Sequence, residues 1–249
     1  RWQNGGFGAG TFAWSPDGSL AYIRATAGTD AFSGAGSWEL HIRQRGQDRV
    51  LTTLPGVPGR GVSADDDDTF LAFSADGQYI ALETTFTGPS QVRAAADGSL
   101  VKALPQGITM AVWAGTGLFY RDQGGVYRWD PTGTTSLVLP GVKWIRPRAS
   151  SDGKWIAYSV RDSTGLPHVN VFSVSAGTTF SISSGGRVDA VFLTPTILWD
   201  REERLCTASD ACFMSPTLPT GMTFIYDLAT RLESRSVIAA VGAVWPRMD

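Results

Sequence analysis

The sequence predicts an all-β fold built from repeated four-stranded antiparallel sheets, and three observations carry that reading. One phrase occurs three times, as Phe12-Ala-Trp-Ser-Pro-Asp-Gly-Ser-Leu-Ala-Tyr-Ile23, Leu71-Ala-Phe-Ser-Ala-Asp-Gly-Gln-Tyr-Ile-Ala-Leu82 and Arg148-Ala-Ser-Ser-Asp-Gly-Lys-Trp-Ile-Ala-Tyr158. Each copy is an apolar strand, a tight Asp-Gly turn and a second apolar strand, the local pattern of a β-hairpin. The copies are also spaced as a repeat: Gly18, Gly77 and Gly153 are 59 and 76 residues apart, and the second interval is twice the roughly 40-residue period of a four-stranded propeller blade. Finally, no amphipathic stretch is long enough for a substantial helix. The 29 glycines and 13 prolines among 249 residues suit many short strands joined by tight turns.

The period requires a degenerate copy between the second and third. Met110-Ala-Val-Trp-Ala-Gly-Thr-Gly-Leu-Phe-Tyr120 supplies it, and a fifth follows at Val188-Asp-Ala-Val-Phe-Leu-Thr-Pro-Thr-Ile-Leu-Trp199. Two further strand-like runs follow each hairpin, such as Gly125–Asp130 with Thr134–Leu139, and His168–Val174 with Thr178–Ile182. Four strands per unit make a blade, so the expectation is a five-bladed β-propeller in one domain. Its blades run over about 11–56, 67–107, 109–141, 144–184 and 188–238. Residues 1–10 and 239–249 then meet at the seam of the ring. Val241-Gly-Ala-Val-Trp-Pro-Arg247 looks like the first strand of another blade, which leaves a six-bladed ring as the alternative.

The phrase Ser15-Pro-Asp-Gly18, with weaker copies at Ser74-Ala-Asp-Gly77 and Ser151-Asp-Gly153, resembles the WD40-like repeat of TolB-type β-propellers. That repeat also occurs in the propeller domains of prolyl-oligopeptidase-like peptidases and in extracytoplasmic sensor domains. The resemblance covers nearly the whole chain and implies the fold. It implies that each blade's first strand lines a central channel, and that the loops joining second and third strands share the face where the first strands begin. It does not imply a task, because function resides in sites placed on a scaffold.

Composition narrows the classes. A net charge of −2 with no basic tract argues against nucleic acid as a partner. No run of 18 apolar residues is present, so no membrane-spanning helix is expected. The chain begins at Arg1 rather than Met, as a processed or excised segment would. The two cysteines, Cys206 and Cys212, stand in a polar stretch and read as a disulfide clasp, worth about 2–3 kcal/mol. Such a bond places the chain outside the cytoplasm, in the periplasm, at the cell surface or secreted. The other reading is two unpaired thiols. A zinc site would need both His41 and His168 at this loop.

Long loops on a rigid scaffold are where binding is usually placed. Two are expected, from Ala25 to Ser37 and from Arg201 to Met222, on the face where first strands begin. The first holds Phe32 with Trp38 just beyond it; the second offers Phe213 and Met214, side chains suited to anchoring a protein partner or to covering their own blade edge. Arg60, Arg146, Arg148 and Arg187 stand at the starts of first strands beside Asp65–Asp68 and Asp189. They form either a set of mutually compensating charges, a cradle for a carboxylate or other anion, or, at the aspartate run, a calcium site. The aspartate run lacks the spaced ligands and glycine of a defined calcium loop, so no metal and no cofactor is assigned.

Catalysis lacks a constellation. There is no G-x-S-x-G elbow for a peptidase, and Gly5-Gly-Phe-Gly-Ala-Gly10 precedes a strand rather than a phosphate-binding helix. A glycosidase would have to draw its pair of acids from Asp67 or Asp68 and Asp189. The expectation is a non-catalytic, extracytoplasmic interaction or sensor module, part of a larger envelope protein or complex, that binds a protein partner through its loop-rich face. A glycan or small anionic ligand, or a five-bladed glycoside hydrolase, are the alternatives.

Overall fold

The computed structural model describes residues 12–26, 36–55, 71–82, 90–104, 109–183, 185–207, 210 and 216–236. The chain divides into two compact units, Arg1–Val142 and Lys143–Asp249. All regular elements among the described residues are strands. The first unit holds three antiparallel four-stranded sheets. They are β1 (Phe12–Trp14), β2 (Leu20–Ala25), β3 (Ser37–Gln44) and β4 (Gln47–Pro55); β5 (Leu71–Phe73), β6 (Tyr79–Leu82), β7 (Gln91–Ala94) and β8 (Leu100–Ala103); and β9 (Thr109–Ala114), β10 (Gly117–Asp122), β11 (Gly125–Trp129) and β12 (Thr135–Pro140). The second unit holds two: β13 (Ile145–Ala149), β14 (Trp155–Arg161), β15 (Pro167–Ser173) and β16 (Thr178–Ser181); and β17 (Arg187–Phe192), β18 (Ile197–Leu205), β19 (Thr217–Asp227) and β20 (Leu232–Ser236). In every sheet, strands adjacent in sequence are adjacent in space. These are five meander blades of a β-propeller.

The cores explain the sequence pattern. On β6, Ile80 and Leu82 join a cluster with Trp38, Leu40 and Ile42 of the first sheet, whereas Ala81 joins one with Trp113, Leu118 and Trp129 of the third. A strand covered on both faces reads as a continuous apolar run rather than an alternating one, hence Tyr79-Ile-Ala-Leu82 and Trp155-Ile-Ala-Tyr158. The fourth strands lose this cover: β8, β12, β16 and β20 are mostly exposed. In the second unit, Ala157, Val169 and Val171 pack against Ala190, Leu198 and Tyr226, so one core lies between its two blades.

The recurring phrase is a clamped turn. Ser15, Ser74 and Ser150 are buried, and each Oγ donates to the aspartate two residues on: Asp17, Asp76 (2.6 Å) and Asp152 (2.6 Å). Each also accepts the amide of a residue just before or at the start of the second strand, Ser19 (3.0 Å), Tyr79 (2.9 Å) or Trp155 (3.1 Å). The aspartate caps the turn by accepting from Ser19, Gln78 or Lys154. The glycine that follows has φ of 81°, 71° and 68° in the three copies, a region open to glycine at little cost. The third clamp therefore uses Ser150, not Ser151, and its true match to Ser15-Pro-Asp-Gly18 is Ser150-Ser-Asp-Gly153. Hydrogen bonds from Ser15 and Ser150 hold the Asp17 and Asp152 carboxyls below their ordinary range.

Candidate functional site

In the second unit, each first strand carries a bulge near its start. Between Ile145↔Ser159 and Arg148↔Ala157, two residues of β13 oppose one of β14. The same offset lies between Val188↔Arg201 and Val191↔Trp199. In both bulges the first extra residue is left-handed although it is not glycine: Arg146 at φ 48° and Asp189 at φ 58°. Left-handed residues with large side chains are uncommon outside turns and functional positions. A bulge re-aims its side chain, and here the two meet. Arg146 Nη1 donates to Asp189 Oδ1 at 2.5 Å.

The contact extends into a chain of alternating charge. Arg201 Nε donates to the other oxygen of Asp189 at 2.5 Å, and Arg201 Nη2 lies 3.0 Å from Glu203 Oε1. Glu203 Oε2 accepts from Thr217 Oγ1 at 2.5 Å, while the Glu203 amide donates to the Gly186 carbonyl at 2.5 Å. Arg146, Asp189 and Arg201 are about one-quarter exposed. They form a half-open polar patch at the end of the blades where β18 leaves and β19 returns.

Arg187, expected as a surface contact at this end, is buried. Its Nε donates to Asp200 Oδ1, its Nη2 donates to Glu233 Oε2 at 3.1 Å, and its guanidinium carbon lies 3.4 Å above the Phe224 ring centroid. The side chain crosses the blade from β17 to β20 as an internal strut. Asp200 is almost wholly buried, and its Oδ2 has no hydrogen-bond partner among the described residues. Burial outweighs the pull of Arg187 and raises its pKa to about 6.

The described residues between β18 and β19 are anchored beside the patch. The Arg204 fork grips Asp210 at 2.7 and 2.8 Å. Asp210 also accepts from the amide and hydroxyl of Thr207, at 2.6 and 2.8 Å. Cys206 is disulfide-bonded, and its amide donates to the Pro216 carbonyl at 2.9 Å. The loop is shorter than the sequence implies. Arg201–Leu205 and Thr217–Met222 belong to strands, because charged residues alternating on a half-open blade face lack the apolar alternation that marks a strand.

Trp38 requires a correction: it was expected to contact a partner, but it is fully buried in the core between the first two sheets. As the second residue of β3 it faces the neighbouring blade. Arg148 is exposed, and its Nη1 donates to the Pro147 carbonyl at 3.1 Å. Arg201, Glu203 and Thr217 complete the patch without having been singled out from sequence. Arg60, Phe32, Asp65–Asp68, Cys212, Phe213, Met214 and both terminal segments lie outside the described residues. Among the described residues, no group of three or more His, Cys, Asp or Glu side chains is placed to hold a metal ion, and no helix is long and apolar enough to cross a membrane.

No protein-family model and no curated protein matches the chain. Solved structures do. TolB from Acinetobacter baumannii superposes with a TM-score of 0.54 at 16% identity, over 90% of this chain and 52% of TolB. The Niastella koreensis GH74 enzyme gives 0.61 at 13% identity, over 90% of this chain and 37% of the enzyme. A prolyl endopeptidase gives 0.60 at 12% identity, over 91% and 34%. The chain thus spans about half of TolB and about a third of the two enzymes, and at these identities the likeness is one of fold.

Proposed function

We propose that the chain is a single β-propeller domain acting as a non-catalytic, extracytoplasmic interaction module within a larger envelope protein or complex, and that it binds a protein partner through the loop end of its blades. The observation that carries this reading is the half-open charged patch of Arg146, Asp189 and Arg201, with Cys206, Thr207 and Asp210 anchored beside it. The Arg204–Asp210 fork and the disulfide at Cys206 tie the described ends of the connection to the blade, and segments already tied down lose less entropy on binding. Pairing with Cys212, the other cysteine of the chain, closes the loop and supports an oxidising compartment. Arg146 and Arg201 offer planar forks that a partner carboxylate can compete for. A glycosidase is less well supported: Asp189, its candidate acid in this blade, already has both oxygens engaged by guanidiniums.

Photo-cross-linking tests the surface. A benzophenone side chain at Leu205, on the loop end, is expected to give a discrete protein adduct in whole cells. The Arg146→Glu/Arg201→Glu pair should abolish that adduct while leaving the melting temperature within a few degrees. An adduct from Gln47, at the turn end, with none from Leu205 would refute the assignment.

A further inference from the structure

The first unit holds a cleft of about 660 Å³ at its turn end, between its first two blades. The two blades touch on either side of it. On one side, Gly77 sits so near the first turn that a Cβ there would lie 3.5 Å from Pro16 Cδ. On the other, Arg49 Nη2 donates to the Ala95 carbonyl at 3.2 Å, and Gly98, with φ of 76°, packs against the Leu51 backbone so closely that a Cβ would collide with it. Between these contacts the gap stays open. Its floor is apolar, formed by Ile42, Phe73 and Ala95, all buried.

The rim has a different chemistry. Asp17 presents a carboxylate held ionised by Ser15 and by the Ser19 amide, and Gln44 Nε2 donates to its Oδ2 at 2.9 Å. Arg49 uses one donor on Ala95, and its remaining guanidinium hydrogens make no hydrogen bond among the described residues. The Gln78 side-chain amide, also lining the cleft, is likewise unengaged among the described residues. The rim therefore offers a carboxylate acceptor, a guanidinium donor and an amide that is both. A ligand of either net charge meets a like charge on the rim. An uncharged molecule whose hydroxyls donate and accept, and whose C–H face rests on the floor, meets no such penalty.

We propose that this cleft is a binding site for a neutral saccharide of one or two hexose units, separate from the loop-end patch. Its volume falls within the roughly 300–1,000 Å³ range of small-molecule pockets. Asp17 in the β1–β2 turn and Arg49 on β4, both of the first blade, bond two hydroxyls, Gln78 of the second blade bonds a third, and the sugar's apolar face covers Phe73.

Saturation-transfer NMR and calorimetry with maltose, cellobiose and N,N′-diacetylchitobiose test it on the whole chain. At least one is expected to bind with millimolar or better affinity. Arg49→Met and Gln78→Ala should each weaken that binding about tenfold. Ala96→Phe, at an exposed position on the cleft wall, should fill the site and abolish binding without lowering the melting temperature. Leu137→Ser, at an exposed position on β12 away from the cleft, should leave it unchanged. Absence of transfer to all three disaccharides, or binding that none of the cleft variants alters, overturns the proposal.

Discussion

Two arginine–aspartate contacts stand side by side in the second unit, and burial gives them different work. Arg187 and Asp200 are 6% and 1% exposed; Arg146 and Asp189 are 25% and 24% exposed. The first pair lies on the blade face that carries Leu198 and Tyr226 into the core. Phe224 lies beneath its guanidinium and Glu233 holds its far end. A charge taken that far from water is tolerated only when its partners are in place. The second pair can exchange its partner for water or for another protein at small cost. A structural strut and a recognition element are thus made from the same two residue types.

Removing one member of the buried pair should give the largest effect. Asp200→Ala leaves Arg187 enclosed with only Glu233 and the Phe224 face, and is expected to destabilise the domain by about 3–5 kcal/mol. The double variant Arg187→Met/Asp200→Leu should recover most of that loss, because a buried ion pair is often replaceable by apolar side chains of similar volume. Urea unfolding of the two variants decides. A double variant as unstable as the single one would show that the pair does more than balance its own desolvation.

A smaller effect should appear with pH. The Asp200 pKa is raised by burial from the ordinary 3.8 to about 6, so the folded chain holds this proton more tightly than the unfolded one. The group's favourable contribution is complete below about pH 4 and is lost as pH rises through 6. Lowering the pH from 8 to 5 should therefore stabilise the protein by roughly 1.4 kcal/mol from this residue, about half of the full contribution reached below pH 4. The clamp aspartates oppose it: Asp17 and Asp152 are held low, and what they contribute is lost as pH falls through the acid range. Thermal melts should show a maximum near pH 5, and Asp200→Asn should flatten the limb between pH 5 and 8. A wild-type melt that does not change across that limb would contradict the assignment.

The sequence made the strands and turns legible because period-two alternation and the Asp-Gly turn are local signals. The five four-stranded sheets lie at Phe12–Pro55, Leu71–Ala103, Thr109–Pro140, Ile145–Ser181 and Arg187–Ser236. The site was legible only as a list of charges. Sequence placed Arg146, Arg148, Arg187 and Asp189 at strand starts but could not sort them by burial, since a bulge of one residue decides which way each side chain points. Arg187 lies just before its bulge and turns inward; Asp189 lies within it and turns out to Arg146 and Arg201. Arg201 and Glu203 were hidden for a related reason, because Arg201-Glu-Glu-Arg204 reads as solvated loop until the ladder carries β18 through to Leu205.

The smallest expected effect belongs to the exposed pair and bears most on the comparison. Asp189 holds φ of 58°, a conformation that aspartate and asparagine tolerate better than other residues with a Cβ. Asp189→Asn therefore removes the charge while keeping the bulge, and should cost no more than about 1 kcal/mol, shrinking further in high salt as a screened pair should. Asp189→Val changes the backbone term as well, since a β-branched side chain resists left-handed φ, and should cost about 1–2 kcal/mol more at any ionic strength. If Asp189→Asn instead matches Asp200→Ala in cost and ignores salt, the loop-end cluster is as structural as the strut beside it. The two pairs would then differ only in how much water they see, and the patch would lose its standing as a surface for a partner.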